Sequence, residues 1–360
     1  MRTSVRARAS VSIAAAALCL SLVPAVAAAD PTVTTLVDGL NNPRGIDIGR
    51  TGRIVVAETG AGRVIEVRAD GSVRTLIGRL PVVFGDEGAS GVHNVSLTGN
   101  GNLFAVVGET LPSHVAGWET LLRGGPKGAS VVIRNIGAYQ VTDPDPTDQD
   151  VPANPSQSNP YGLETIGSSR ILVADAGGND LLLATAKGIT TVARFPATPV
   201  ATDHLPFPFP FPEVLAEAVP TTVAIGPDGY WYVGQLQGFP FRPGTSSIWR
   251  IAPWARGATC DADTSDGCEK WLSGFTAVVG IEFGPDGSLY VAEMAKNGLF
   301  ALFGGDTVGA LWRVKGDIRT EIAAGQLHVP GDVAVGRNGT VYVTTGSIFP
   351  DGGAVVAIKP

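Results

Sequence analysis

One unit recurs six times along this chain, and that recurrence leaves few folds open. Each copy begins with two apolar residues flanking a third, passes a tight turn, and continues into a β-rich run. The copies at 46–57, 95–106, 163–174, 223–234, 281–292 and 333–344 align without a gap. Their turns centre on Gly52, Gly101, Gly229, Gly287 and Gly339, with Ser169 in the third copy. Gly-Pro-Asp-Gly stands at 226–229 and again at 284–287; Pro fixes φ there and the closing Gly admits positive φ. Third strands are expected at 64–67, 130–134, 181–184, 247–251, 310–314 and 354–358. Fourth strands are expected at 73–77, 139–142, 189–193, more weakly at 270–272, and at 320–323. Four short antiparallel strands per repeat, at a period of 49 to 68 residues, predict an all-β, six-bladed β-propeller rather than a sandwich.

The sixth copy has no fourth strand before the chain stops, and an unassigned strand-like run stands at 33–37. Pairing that N-terminal run beside 354–358 closes the ring and covers an edge that an open array would expose.

Residues 1–29 read as a signal peptide. Arg2, Arg6 and Arg8 form its basic start, 11–26 is apolar, and 25–29 supplies small residues for cleavage. The apolar run is short and interrupted for a membrane span. The domain is then 30–360, secreted, monomeric and free of the membrane after cleavage. Removing the leader takes three of 26 basic residues and no acidic ones, leaving 23 against 33. A surface so acidic repels phosphate backbones, which argues against nucleic acid as a partner. The two remaining cysteines, Cys260 and Cys268, predict a disulfide in an exported chain. Closing so short a loop stabilises by about 2 to 3 kcal/mol, enough to pin one loop but not to hold the fold.

The Pro-x-Gly start, the Gly turn and the Val-Ala-acid exit resemble NHL-type and gluconolactonase-type propellers. Asn159-Pro-Tyr-Gly-Leu163, Leu172-Val-Ala-Asp-Ala-Gly-Gly-Asn-Asp-Leu-Leu182, Tyr232-Val-Gly-Gln-Leu-Gln-Gly-Phe-Pro-Phe241 and Phe283-Gly-Pro-Asp-Gly-Ser-Leu-Tyr-Val291 together resemble the ScyD/ScyE family of secreted propellers. That resemblance spans the mature chain and implies an extracellular propeller, with the reaction, if any, left open.

Propeller geometry converts loop length into function. Links from strand two to three, and from each blade to the next, lie on one face; the remaining links lie on the other. The long links 109–128, 143–160, 196–220, 235–244 and 294–309 all fall on the first face, so that face is expected to carry binding. The cysteine loop, 253–269, falls on the opposite one. At the channel mouth on the long-loop face stand Arg44, His93, Asn94, Tyr161, Thr221 with Thr222, and Asp332, a candidate ligand site for a small molecule or an extracellular protein. One step deeper, Asp47, Glu164 and Glu282 alternate around the ring with Ser96, Ala224 and Ala334. Two readings stand for these acids: ligands to a hard cation such as Ca²⁺, or acceptors for backbone N–H groups of neighbouring blades and channel water. Glu58, Asp175 and Glu293, which end second strands, read as caps on backbone amides.

The Pro/Phe alternation from His204 to Pro212 is either a stiff apolar ridge or a strip packed beside Phe239-Pro240-Phe241. Asp261 and Asp263 suggest a calcium loop, but Asp266 and Leu272 occupy the places of its turn Gly and its closing Glu. The four histidines are scattered and no Gly-x-Ser-x-Gly elbow occurs, which disfavours a zinc hydrolase or a serine hydrolase. Two enzyme readings remain beside the binding one. A gluconolactonase-type metal-dependent hydrolase would use Asp47, Glu164 and Glu282 with His93. A quinone-dependent sugar dehydrogenase would need a larger basic and histidine set than Arg44 and His93 supply.

Overall fold

The computed structural model describes residues 31–85, 88–125, 128–261 and 266–359; the signal-peptide assignment at 1–29 lies outside them. Six sheets, each built on four antiparallel strands and the third extended by a short fifth, form the blades of a ring, a six-bladed β-propeller. Their innermost strands are Pro43–Ile48, Val92–Leu97, Pro160–Ile166, Pro220–Ile225, Val278–Phe283 and Asp332–Val335.

The ring closes through the chain ends. Thr32–Leu40 pairs antiparallel with Gly353–Lys359, running from Thr32 opposite Lys359 to Leu40 opposite Gly353. It thereby becomes the fourth strand of the sixth blade.

Blades stack on one another through both faces, so middle strands read as continuous apolar runs rather than alternating ones. Every residue of Ile54–Glu58 and of Leu103–Val107 is buried. Val55, Ala57 and Val64 of the first blade pack against Val92, Val95 and Ala105 of the second. Full burial of each such valine or larger aliphatic side chain stabilises by about 1.5 to 3 kcal/mol. Inner strands approach closely enough to require glycine: a Cβ on Gly45 would lie 2.5 Å from Asn94 Cα, and one on Gly162 would lie 2.8 Å from Thr222 Cα. That contact is the physical content of Pro-Arg-Gly and Pro-Tyr-Gly.

The second blade differs from the sequence reading. Its third strand is Thr120–Gly124 and its fourth is Ser130–Asn135. The expected strand at 139–142 is instead the end and exit of a short helix, Ile136–Gln140. Asn135 turns the chain by capping that helix, its side chain accepting the Ala138 N–H at 2.7 Å. In the fourth blade the weak outer strand is a full one, Cys268–Phe275, with Glu269, Lys270 and Ser273 exposed. An outermost strand needs few apolar residues, which is why its sequence signal was faint. The Cys260–Cys268 disulfide forms. Its loop reaches back to the third blade, where Ala258 and Thr259 pair in parallel with Ala193 and Arg194.

A chain beginning at Asn41 exposes the backbone edge of Gly353–Lys359 and leaves empty the buried site that Leu40 fills. It is expected to lose at least about 3 kcal/mol and to aggregate on heating. Thermal unfolding followed by fluorescence and light scattering checks this; a melt equal to that of a chain beginning at Pro31 would refute closure by the N-terminal strand.

Candidate functional site

The channel mouth brings most of its expected residues together. Arg44 donates to Tyr161 Oη at 2.9 Å and to the Ala89 carbonyl at 2.9 Å. His93 lies against Tyr161 with ring centroids 4.8 Å apart, and its Nε2 is 3.4 Å from Ser90 Oγ. Burial first, and then the Arg44 charge, hold the His93 imidazole well below its usual pKa, so it stays neutral. Asn94 donates to Asp332 Oδ2 at 3.1 Å. Thr221 stands apart from this group, donating to the Val278 carbonyl of the next blade at 2.7 Å.

Inner strands have one edge facing the channel, and side chains satisfy it across blade boundaries. Asp332 of the sixth blade accepts the Ile46 N–H of the first at 3.2 Å, and Asp47 accepts Leu97 N–H of the second at 2.6 Å. Thr222 Oγ1 of the fourth blade accepts Ile281 N–H of the fifth at 3.1 Å. Glu282 accepts its neighbour's N–H, from Phe283, at 2.9 Å. Asp47, Glu164 and Glu282 remain half-buried against the channel lumen.

Burial raises the proton affinity of these acids, and the charges of neighbouring acids add to it at Glu164, Glu282 and Asp332. Desolvation is the first cause at each, followed for Glu164 and Glu282 by the charge of Asp47. Glu282 is pushed up to about 8 and Asp332 to about 7. Glu164 lies well above the ordinary carboxylate range, and Asp47 lies above it too. Among the described residues, the acids whose carboxylate oxygens all come within 4.8 Å of one another are a different trio, Asp148, Asp150 and Glu217. They sit on the long-loop face, where burial and mutual repulsion raise Asp150 and Glu217. The crowded acids of 143–150 were a visible signal for this trio, and the sequence reading treated that stretch only as a long loop.

Acids ending second strands act as clamps. Glu58 accepts Asn41 N–H at 3.1 Å, Asp175 accepts Asn159 N–H at 2.5 Å, and Glu293 accepts Thr276 N–H at 2.7 Å. Each ties the exit of its second strand to the residues leading into its first.

The Pro/Phe segment joins a larger aromatic cluster. Phe211, Phe209, Phe239, Phe241 and Phe300 follow one another ring to ring, with Phe207 and Phe303 both on Phe300, at centroid distances of 5.3 to 6.2 Å. Ridge and packing are both realised: Phe209 packs on Phe239, while Phe207 is 44% and Phe211 60% exposed. Beside the cluster opens a recess of about 300 Å³ lined by His204, Pro206, Phe241, Pro243, Asn297 and Phe300, among others. Phe300 lies on a short helix, Leu299–Phe303, in the 294–309 link; the sequence reading marked that link as long without singling out its ring.

A scan of the chain against protein-family models finds no match, and neither does a search of curated proteins. Solved structures do match. A streptogramin B lyase structure is 14% identical at a TM-score of 0.51, covering 92% of this chain and 98% of its own. The PQQ-bound aldose sugar dehydrogenase of Streptomyces coelicolor is 15% identical at 0.55, covering 92% and 99%. A putative gluconolactonase is 13% identical at 0.54, covering 92% and 93%. Likeness at this level shows the fold alone.

A carboxyl group whose folded pKa is raised above its unfolded value contributes stability at low pH and loses it as pH climbs between the two values. For Glu282 that window runs from about 4.5 to about 8. The protein is therefore expected to be more stable at pH 5.5 than at pH 8.5, and Glu282→Gln to flatten the dependence by on the order of 1 kcal/mol. Denaturant midpoints at the two pH values measure this; an unchanged slope in the variant would show that Glu282 ionises normally.

Proposed function

We propose that this chain is an exported propeller of the ScyD/ScyE kind that holds a small molecule or an extracellular partner on its long-loop face, acting as a monomer. The run of seven phenylalanine rings beside an open recess supports this reading most directly. Exposed aromatic side chains on a rigid scaffold supply binding area with little conformational entropy to lose. The formed disulfide suits an oxidising compartment, and among the described residues no helix is long and apolar enough to cross a membrane.

Native mass spectrometry of protein purified from its own culture medium is expected to show a mass above that of the mature chain. Phe207→Ser and Phe211→Ser should release at least half of that ligand while leaving the melting temperature within about 2 °C, because both side chains are exposed. A bare mature mass from the medium, or full retention in both variants, would count against the reading.

The second reading, a gluconolactonase-type hydrolase holding Ca²⁺ or a similar cation, draws on the all-oxygen donors of Asp47, Glu164 and Glu282. Hard cations prefer such donors, and acids that hold protons near neutrality are suited to general acid–base work. If it is correct, calorimetry on chelator-treated protein shows Ca²⁺ binding that Glu164→Gln weakens at least about tenfold, together with lactone hydrolysis that requires the ion. Absence of heat with Ca²⁺, Mg²⁺ and Zn²⁺ would remove it.

A further inference from the structure

The two faces of the disc differ in charge as sharply as in length. Among the described residues, the links on the long-loop face carry eleven Asp and Glu against three Arg and Lys. The links on the opposite face carry six of each. Apolar exposure divides the same way. Of the seventeen exposed large apolar side chains among the described residues, eleven lie on long-loop-face links and one, Trp254, lies on a link opposite.

Two of the three basic side chains on the long-loop face are held in ion pairs. Arg242 pairs with Asp203, and Lys296 Nζ lies 2.6 Å from Glu321 Oε2. Both residues flank the recess, so its nearest cations are already compensated. His204 is held between the Pro240 carbonyl, at 2.9 Å, and Arg242, at 3.2 Å. Only two of the acids on this face meet a guanidinium, Asp143 on Arg194 and Asp203 on Arg242. A negative field therefore overlies an apolar, ring-lined recess.

From this we infer that the recess of Phe241, Phe300 and Pro243 takes an organic cation with an apolar or aromatic body, and that the acidic links steer it there. The inference rests on the proposed binding role of this face and adds the charge and shape of the ligand. The body fills space between rings and prolines. The positive centre meets ring faces, worth about 0.5 to 1 kcal/mol at an exposed site, and is drawn by the summed field of the links. Anionic ligands, including acidic lipid surfaces, meet the same field as repulsion.

Benzyltrimethylammonium and phenylmethanesulfonate, similar in shape and opposite in charge, test this on the mature protein by NMR titration. The cation is expected to bind about tenfold more tightly than the anion at about 20 mM salt, and the preference to shrink to under about threefold at 0.5 M. Glu213→Lys, at an exposed position of the long-loop face, should weaken the cation about two- to threefold. Asp317→Lys, exposed on the opposite face, should leave it unchanged. Phe207→Ser should weaken both ions, since its ring packs on Phe300 at 5.7 Å. Equal binding of the two ions, with loss on Phe207→Ser, would overturn the charge inference and leave the binding face standing. Failure of both to bind, or cation binding that responds to Asp317→Lys rather than Glu213→Lys, would overturn the inference; with no retained ligand in the native mass spectrum, the binding face would fall too.

Discussion

A β-sheet leaves backbone donors and acceptors unpaired along its edges, and a ring of sheets multiplies that problem by its number of blades. This chain meets it in two places by different means. At the seam, Thr32–Leu40 lies along Gly353–Lys359, so the last blade is completed by the first strand of the domain. At the channel, where no further strand fits, side chains take the place of a strand. Asp332 bonds Ile46, Asp47 bonds Leu97 and Thr222 bonds Ile281, each across a blade boundary. The polar channel follows from this need before any question of ligand arises.

That use of carboxylates has an electrostatic consequence. These acids face one lumen, where desolvation raises their proton affinity and, at Glu164, Glu282 and Asp332, the charges of neighbouring acids add to the effect. Near neutrality the ring holds fewer charges than its composition suggests. A protonated carboxyl still accepts a backbone N–H through its carbonyl oxygen, so hydrogen bonding to the neighbouring blade and relief of repulsion are compatible. The same property would serve acid–base chemistry, and for that reason raised proton affinity alone does not distinguish a catalytic channel from a structural one.

Architecture was legible because it is written in a repeated local pattern: six turns, the Gly-Pro-Asp-Gly pair, and a lone strand at each end of the chain. What escaped was decided by context. Thr120–Gly124 lies within a Gly- and Pro-rich stretch, and pairing with Leu103–Val107 on one side and Ser130–Asn135 on the other makes it a strand. Cys268–Phe275 is an outer strand whose exposed face tolerates charge. The mouth residues could be placed from their repeat position, since strand order determines where they fall. Their bonding to one another could not, because Arg44 and Tyr161 meet across 117 residues. The approach of Glu217 to the crowded Asp148 and Asp150, and the edge-on contact of Phe300 with Phe241, were beyond reach for the same reason, since each joins links from different blades.

These two regions differ in what a substitution would report. Asp332 and Asn94 are within the bonds that hold the first, second and sixth blades together, so removing either perturbs the ring along with any ligand at the mouth. Phe207 and Phe211 lie in the link 195–219, outside the four strands of either adjoining blade, and both side chains are partly open to solvent. A binding defect there can be separated from a folding defect by the melt alone. Strand direction causes the separation: every inner strand starts at the same face, so the long links gather there while the disc that carries them is set by the blades beneath.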